Sequence, residues 1–445
     1  MGKLWGTCIA WLAFVSAAAS WAAPSQPVIV VPGIVGSKLC EAGPDGKPGK
    51  ELWGAGLFYM GRLSQLTLPL QSGAAEKKIV PCGLLDSFGV LGPFDVDVYS
   101  GLVDFLKSAG YREGVDLFVF DYDWRRSNFE TAEILKAKVA AVKAKTGKAQ
   151  VALVAHSMGG IVSRAYLKAS GGAPDVQTMV FFGTPHQGAP QVLRTAEQGW
   201  GFLPNWIVGG DDVIRETMFT WPSVYELLPL AKCCAVSQGL GEPESFSLAR
   251  ASNWARFGWL PAKFKDAVGR AFLDRVIAQS LRARAMLDAA LPSGPSYLFI
   301  ASKAHKTAQT AVFTANFALI SRYVEGPGDE SVPVLSAANG ALAQAHLVPQ
   351  THTALYDDEY AQYLLARALS LDMPALKAKF EARSGGRVLR FNRSSNATEA
   401  CEGLTDAQKN PASDGGAQAV LMDDAGKSIC IWAFELEAPR AAGTG

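Results

Sequence analysis

Ser157, Asp329 and His352 follow one another along the chain in local contexts that fit nucleophilic catalysis. A serine hydroxyl attacks poorly unless a base takes its proton, and the base needs an acid to orient it. Ser157 lies in Ala155-His-Ser-Met-Gly-Gly160, between an apolar run, Val151-Ala-Leu-Val-Ala155, and a helical pattern, Ile161–Leu167. A sharp strand-to-helix turn strains the backbone, tolerates only small neighbours and lifts the serine hydroxyl clear of a sheet. Ala155 stands where glycine is usual and is small enough to keep the turn. A serine that merely capped a helix would not need small residues packed around it after a buried strand. The acid expected is Asp329, in the tight loop Gly326-Pro-Gly-Asp-Glu-Ser-Val-Pro333, with Glu330 as the alternative. His352, in Thr351-His-Thr-Ala-Leu355, lies in a loop before a helix and is preferred as base over His346, which begins a short strand. His305 precedes the acid. His156 and His186 border the serine strand and the next strand end, where hydrogen-bonding support is the better reading.

These residues need a scaffold that presents them together. Strand and helix patterns alternate, which predicts a mostly parallel central sheet with helices on both faces. Strands are expected at 27–31, 116–120, 151–155, 178–182, 297–301 and 347–348, and helices at 99–109, 131–145 and 358–369. The elbow and the order serine, acid, histidine together predict an α/β-hydrolase fold. In that fold the tetrahedral oxyanion is held by the amide after the nucleophile, here Met158, and by one from the loop after the first core strand. That loop is Pro32-Gly-Ile-Val-Gly36; the Ile34 amide is the expected donor, with Gly33 as fallback. Asp121 and Asp123 precede the serine, the wrong order, and are expected to anchor a strand end with Arg125 or Arg126.

Around this frame lie three further regions. Residues 37–98 form a turn-rich excursion. Residues 189–292 hold no clear strand but carry Trp200, Phe202, Trp206, Phe219, Trp221, Trp254 and Trp259; as a group these predict a cap or lid facing lipid, while any single one is better read as a core residue. Residues 379–445 read as a small β-rich appendage to a hydrolase domain at 24–378. Residues 1–23 have the pattern of a cleaved signal peptide, and the chain is expected to be secreted or periplasmic. Of the seven cysteines, Cys8 lies in that segment. The six that remain predict disulfides, with Cys401–Cys430 the first choice and Cys40–Cys82 the second.

Composition narrows the function. Hydrophobic residues make up 49% of the 445 and charged residues 19%, enough apolar material for a large core. With 42 Lys+Arg against 41 Asp+Glu, no overall field draws the chain to polyanions, and nucleic acid is excluded as a partner. No phosphate loop or zinc-type spacing is present, and no cofactor or metal is expected.

Several segments, taken in order, resemble the lecithin:cholesterol acyltransferase family. They are Pro27–Leu39, Tyr122-Asp-Trp-Arg125, Ala155-His-Ser-Met-Gly159, Gly183-Thr-Pro185, Gly328-Asp-Glu-Ser-Val332 and the late His352. The resemblance, which runs over about residues 27–370, includes lysosomal phospholipases and phospholipid:diacylglycerol acyltransferases. It implies a Ser157–Asp329–His352 triad, Ile34 as second oxyanion donor, a membrane-binding region within 37–98 and a lid after Pro190. It also implies a lipid substrate met at a membrane or lipid surface, with acyl transfer to a lipid alcohol or to water. The alternatives are a triacylglycerol lipase or other carboxylesterase and, in another class, a noncatalytic lipid-binding protein.

Overall fold

A computed structural model describes residues 26–54, 63–85, 87–90, 94–198, 211–229, 234–237, 244–245, 247–256, 260–314, 320–381, 417–422 and 428–434. The expected signal peptide, Cys401, Trp200, Phe202, Trp206 and Trp259 lie outside the described residues.

The centre is a six-stranded sheet. Its strands are β1 (Val28–Val31), β2 (Leu117–Val119), β3 (Val151–His156), β4 (Val176–Phe182), β5 (Ser296–Ala301) and β6 (Ala345–Leu347). They lie in the order β6-β5-β4-β3-β1-β2, and every neighbouring pair is parallel. The continuous apolar runs in the sequence have their reason here, because a strand covered on both faces has no wet side. Alternate residues go to opposite cores. Ile29, Val31, Leu153, Ala155, Met179 and Phe181 pack on one face, and Val28, Val30, Ala152, Val154, Val180 and Phe182 on the other.

Helices α1 (Ser100–Ser108), α2 (Asn128–Thr146), α3 (Met158–Lys168), α4 (Ala267–Asp288) and α5 (Glu359–Ala368) surround the sheet. The first face receives α2 and α3 through Leu135, Val139, Ile161 and Val162. The second receives α1 and α5 through Leu102, Leu106, Leu364 and Leu365. Local signals end these helices: Ser127 Oγ caps α2 by accepting from the Phe129 amide at 3.2 Å, and Gly147 closes it at φ 66, a left-handed position that glycine takes without strain.

The strands of the parallel frame lie within a few residues of where the sequence places them, but the connections are richer than expected. The excursion at 37–98 contains a three-stranded antiparallel sheet of Pro48–Trp53, Ser37–Ala42 and Ile79–Leu84. Cys40 and Cys82 are disulfide-bonded across it, the second of the two expected pairings. Cys234 is also disulfide-bonded. A long hairpin, His305–Phe313 with Ile320–Gly328, stands between β5 and the acid loop. It joins Ala235–Val236 and Glu244–Ser245 in a separate four-stranded sheet, so the 189–292 region is not free of strands. Two-residue strands leave no period to detect, and the hairpin's Thr-Ala-Gln composition masks its alternation.

The described aromatic residues of that region take the core reading rather than the lipid-facing one. Phe219 and Trp254 are buried in a core built with α4, and Trp221 is buried in the main core. They hold the region together and face no lipid in this conformation. At the C-terminus a helix, Pro374–Glu381, crosses the expected domain boundary. Beyond it Ala417–Met422 pairs antiparallel with Ser428–Phe434.

Candidate active site

Every strand of the parallel sheet ends on the same edge, and the loops that leave that edge build the site. This is where a parallel α/β sheet places its ligand crevice. β3 ends at His156, and Ser157 turns directly into α3 with φ 52 and ψ −126. Such a backbone costs a non-glycine residue about 1–3 kcal/mol, and the surroundings hold it in place. The Ser157 amide donates to the Phe182 carbonyl at 2.8 Å, and the Gly160 amide donates to the Ser157 carbonyl at 3.0 Å. Gly159 lies against the Val31 and Pro32 carbonyls and Gly160 against Thr184, with no room for a Cβ at either. The small residues after the serine are therefore required by the approach of α3 to β1 and to the loop after β4.

Asp329 and His352 meet at the same edge. His352 Nδ1 donates to Asp329 Oδ2 at 2.8 Å, and the His352 amide donates to the Asp329 carbonyl at 2.8 Å. Asp329 Oδ1 accepts from the Ser331 and Val332 amides at 3.0 and 2.7 Å, and the residue is fully buried. Glu330, the alternative acid, takes φ 83 and turns its carboxylate toward His305, 3.5 Å away. Gly183 fits under the pair: at φ 55, an added Cβ would come within 2.9 Å of Asp329 Oδ2 and 3.0 Å of His352 Nδ1.

His156 links the serine turn to the histidine. Its Nε2 lies 3.0 Å from the His352 carbonyl, and the two rings are 4.7 Å apart. Burial, then the nearby His352, hold the His156 imidazole well below its ordinary pKa. Its Nδ1 is 2.8 Å from the hydroxyl of Tyr99. Tyr99 is the site residue that sequence reasoning missed, since it lies outside every motif, just before α1.

The loop after β1 lies against the serine. A Cβ on Gly33 would stand 2.9 Å from Ser157 Cβ. The Gly33 amide donates to Tyr99 Oη at 2.7 Å, so the fallback oxyanion donor is already engaged. Ile34 lies one residue further on, beside Val35 at φ 59. Three aromatic residues fix this loop: Tyr99, Tyr122, whose hydroxyl donates to the Pro32 carbonyl at 2.8 Å, and Trp53, whose indole N–H donates to the Val35 carbonyl at 2.8 Å. Met158 is the first residue of α3, where an amide has no intrahelical acceptor and the helix dipole favours negative charge.

The remaining polar residues have supporting places. Asp123 binds Arg125 through two contacts of 2.8 and 2.7 Å, while Asp121 accepts the Gly83 amide at 2.9 Å. His186 Nδ1 accepts from Arg164 at 2.9 Å. His346 lies on β6, and burial, then Arg367, push its pKa down to about 4.

The chain is similar to several known proteins. The family model "Lecithin:cholesterol acyltransferase" matches residues 85–244. The chain is 26% identical over 234 residues to lecithin-cholesterol acyltransferase-like 4 of Arabidopsis thaliana, covering 47% of this chain and 43% of the relative. It is 31% identical over 200 residues to a putative phospholipid:diacylglycerol acyltransferase 2 of the same plant, covering 38% and 30%. The matches thus span less than half the length of these relatives. Among solved structures, that of the Tle4-Tli4 complex superposes with a TM-score of 0.51 at 16% identity, over 78% of this chain and 99% of the other. Over residues 85–244, which include Ser157, the chain is similar to the lecithin:cholesterol acyltransferase family, and its fold is that of the α/β-hydrolases.

Proposed function

We propose that the chain is an exported, lipid-directed serine acyl enzyme with Ser157, Asp329 and His352 as its triad. One observation carries the reading: a hydrogen-bonded Asp329–His352 pair is held against the residue preceding a serine in strained elbow backbone.

Ser157 Oγ attacks the carbonyl carbon of a lipid ester while His352 Nε2 takes its proton. Asp329 keeps the Nδ1–H tautomer and stabilises the imidazolium that forms. The carbonyl electron pair moves onto oxygen, which the Met158 and Ile34 amides receive. The pair returns, the C–O bond to the leaving alcohol breaks, and His352 gives that alcohol its proton. Water or a lipid alcohol then repeats the sequence against acyl-Ser157. The family match supports a phospholipid or related lipid as the substrate, met at a peripheral lipid surface. The residue pattern at 1–23 and the Cys40–Cys82 disulfide support export. Among the described residues no helix is long and apolar enough to cross a membrane.

Ser157→Ala tests the assignment. It should lower turnover of a short nitrophenyl ester and of a defined phospholipid by about 10^3- to 10^6-fold, with circular dichroism unchanged. Retained activity would remove Ser157 from the mechanism. Products from the phospholipid, with and without an added sterol or other lipid alcohol, assign the reaction: free fatty acid alone marks a hydrolase, a new ester a transferase.

A further inference from the structure

We propose that Tyr99 is a positioning residue of this site: its hydroxyl satisfies Nδ1 and so fixes the orientation of the His156 ring, and that ring, through its Nε2–H, holds the backbone of His352. The inference rests on the reading of Ser157, Asp329 and His352 given above.

The proton positions follow from which atoms have no choice. A peptide carbonyl only accepts, so the 3.0 Å contact between His156 Nε2 and the His352 carbonyl requires a proton on Nε2. The ring is buried and neutral, so Nδ1 carries a lone pair. The 2.8 Å contact between Nδ1 and Tyr99 Oη is therefore a bond that the tyrosine donates. The Gly33 amide only donates, and Tyr99 Oη accepts it at 2.7 Å. Burial, the dominant effect, raises the Tyr99 pKa and keeps the hydroxyl protonated.

One directed chain results. It runs from the Gly33 amide through Tyr99 and His156 to the His352 carbonyl, then from the His352 amide to the Asp329 carbonyl. The loop expected to bind the oxyanion and the pair expected to move the proton are joined by a single tyrosine and a single imidazole. Without the hydroxyl, Nδ1 is left buried with no donor, and the His352 carbonyl alone orients the ring. The ring would then tilt toward another donor, and the His352 backbone would shift with it. A displacement on the order of 1 Å costs about 10- to 100-fold in rate.

The ring of Tyr99 is clamped for this task. It stacks on Tyr356 at 5.7 Å and meets His156 edge-on at 5.6 Å. Gly36 leaves it room, since a Cβ there would lie 2.8 Å from Tyr99 Cε2 and 2.9 Å from Oη. Tyr99→Phe keeps the ring, so it removes the proton without opening a cavity.

The test compares the full chain with Y99F and S157A. Y99F should lower kcat about 10-fold or more, leave KM within about twofold, and slow fluorophosphonate labelling of Ser157 by the same factor as kcat. In spectra of protein labelled with 15N at its five histidines, His156 should remain the Nε2–H tautomer while its Nδ1 resonance moves to that of a nitrogen accepting no hydrogen bond. H156Q controls for folding, and Y99F/H156Q should be no slower than H156Q, because Tyr99 acts through that side chain. Unchanged kcat in Y99F, or additive losses in the double variant, would overturn the proposal alone. An active S157A would overturn the reading of the site and this assignment with it.

Discussion

Asp329 shows how a single carboxylate sets the chemistry of its neighbours. Oδ1 is occupied by the Ser331 and Val332 amides, which leaves Oδ2 for His352. The consequence for Asp329→Asn is specific. Two amide donors at the Oδ1 position select the carboxamide oxygen there and turn the NH2 group toward His352 Nδ1. The imidazole must then accept at Nδ1 and carry its proton on Nε2, the wrong tautomer for a base facing Ser157. We expect kcat to fall about 10^4-fold while the melting temperature moves little, measured by ester turnover and thermal scanning of the variant. The residue types and their spacing were enough to propose Ser157, Asp329 and His352 together, because the elbow, the Gly-Pro loop and the loop before a helix each leave a local signature. Tyr99 leaves none. Its role depends on contacts with Gly33 and His156, which lie 66 and 57 residues away.

At the scale of elements, Glu226 joins the segment before α4 to the N-terminus of α2. Its carboxylate accepts from Ser127 Oγ at 2.6 Å and from the Asn128 amide at 2.7 Å. Burial outweighs those bonds and pushes its pKa up to about 7 from 4.5. The charged form is thus disfavoured by folding. The stability from the neutral form is fully present below the unfolded pKa, about 4.5, and is lost as pH rises toward 7. The shift corresponds to about 3 kcal/mol. Against Glu226→Gln, the wild-type protein should lose on that order of stability between pH 4.5 and pH 7, read from urea midpoints of both proteins at each pH. A difference between them that stays constant across that range would contradict the burial argument. Elements also mark the limit of pattern reading. The core strands were legible because burial on both faces makes them uniformly apolar. The 305–328 hairpin was not, because its partner in the sheet, Ala235–Val236, is a two-residue strand 77 residues before the Val312–Phe313 it pairs with (312 − 235).

For the whole molecule, the parallel sheet supplies a rigid edge, while the excursion at 37–98 supports the loop after β1. That excursion is stapled by Cys40–Cys82, a closure of 42 residues. Removing both sulfurs as C40A/C82A should cost about 2–5 kcal/mol, measured by chemical denaturation against the oxidised wild type. Trp53, paired opposite Leu39 in the same small sheet, holds the Val35 carbonyl. The variant should therefore also lose ester turnover at temperatures where it remains folded. The aromatic residues at 219, 221 and 254 give the clearest divergence between pattern and structure. As a cluster without strand periodicity they read as a lipid-facing lid, yet all three are interior. A tryptophan buries a large apolar surface wherever it finds partners, and composition does not say which partners those are.

The sequence by itself determined the parallel α/β frame, the strained serine turn and the acid and histidine proposed to accompany it. Each of these is dictated by short-range constraints: apolar runs, small residues at a close helix approach, and turn formers around a carboxylate. The tertiary structure alone decided the rest. It brought Asp329 and His352 to 2.8 Å, turned Glu330 away, occupied the Gly33 amide with Tyr99, and placed the aromatic residues of the insertion inside. Those outcomes depend on which distant surfaces pack against one another, and a directed hydrogen bond between residues far apart in the chain leaves no periodicity to find.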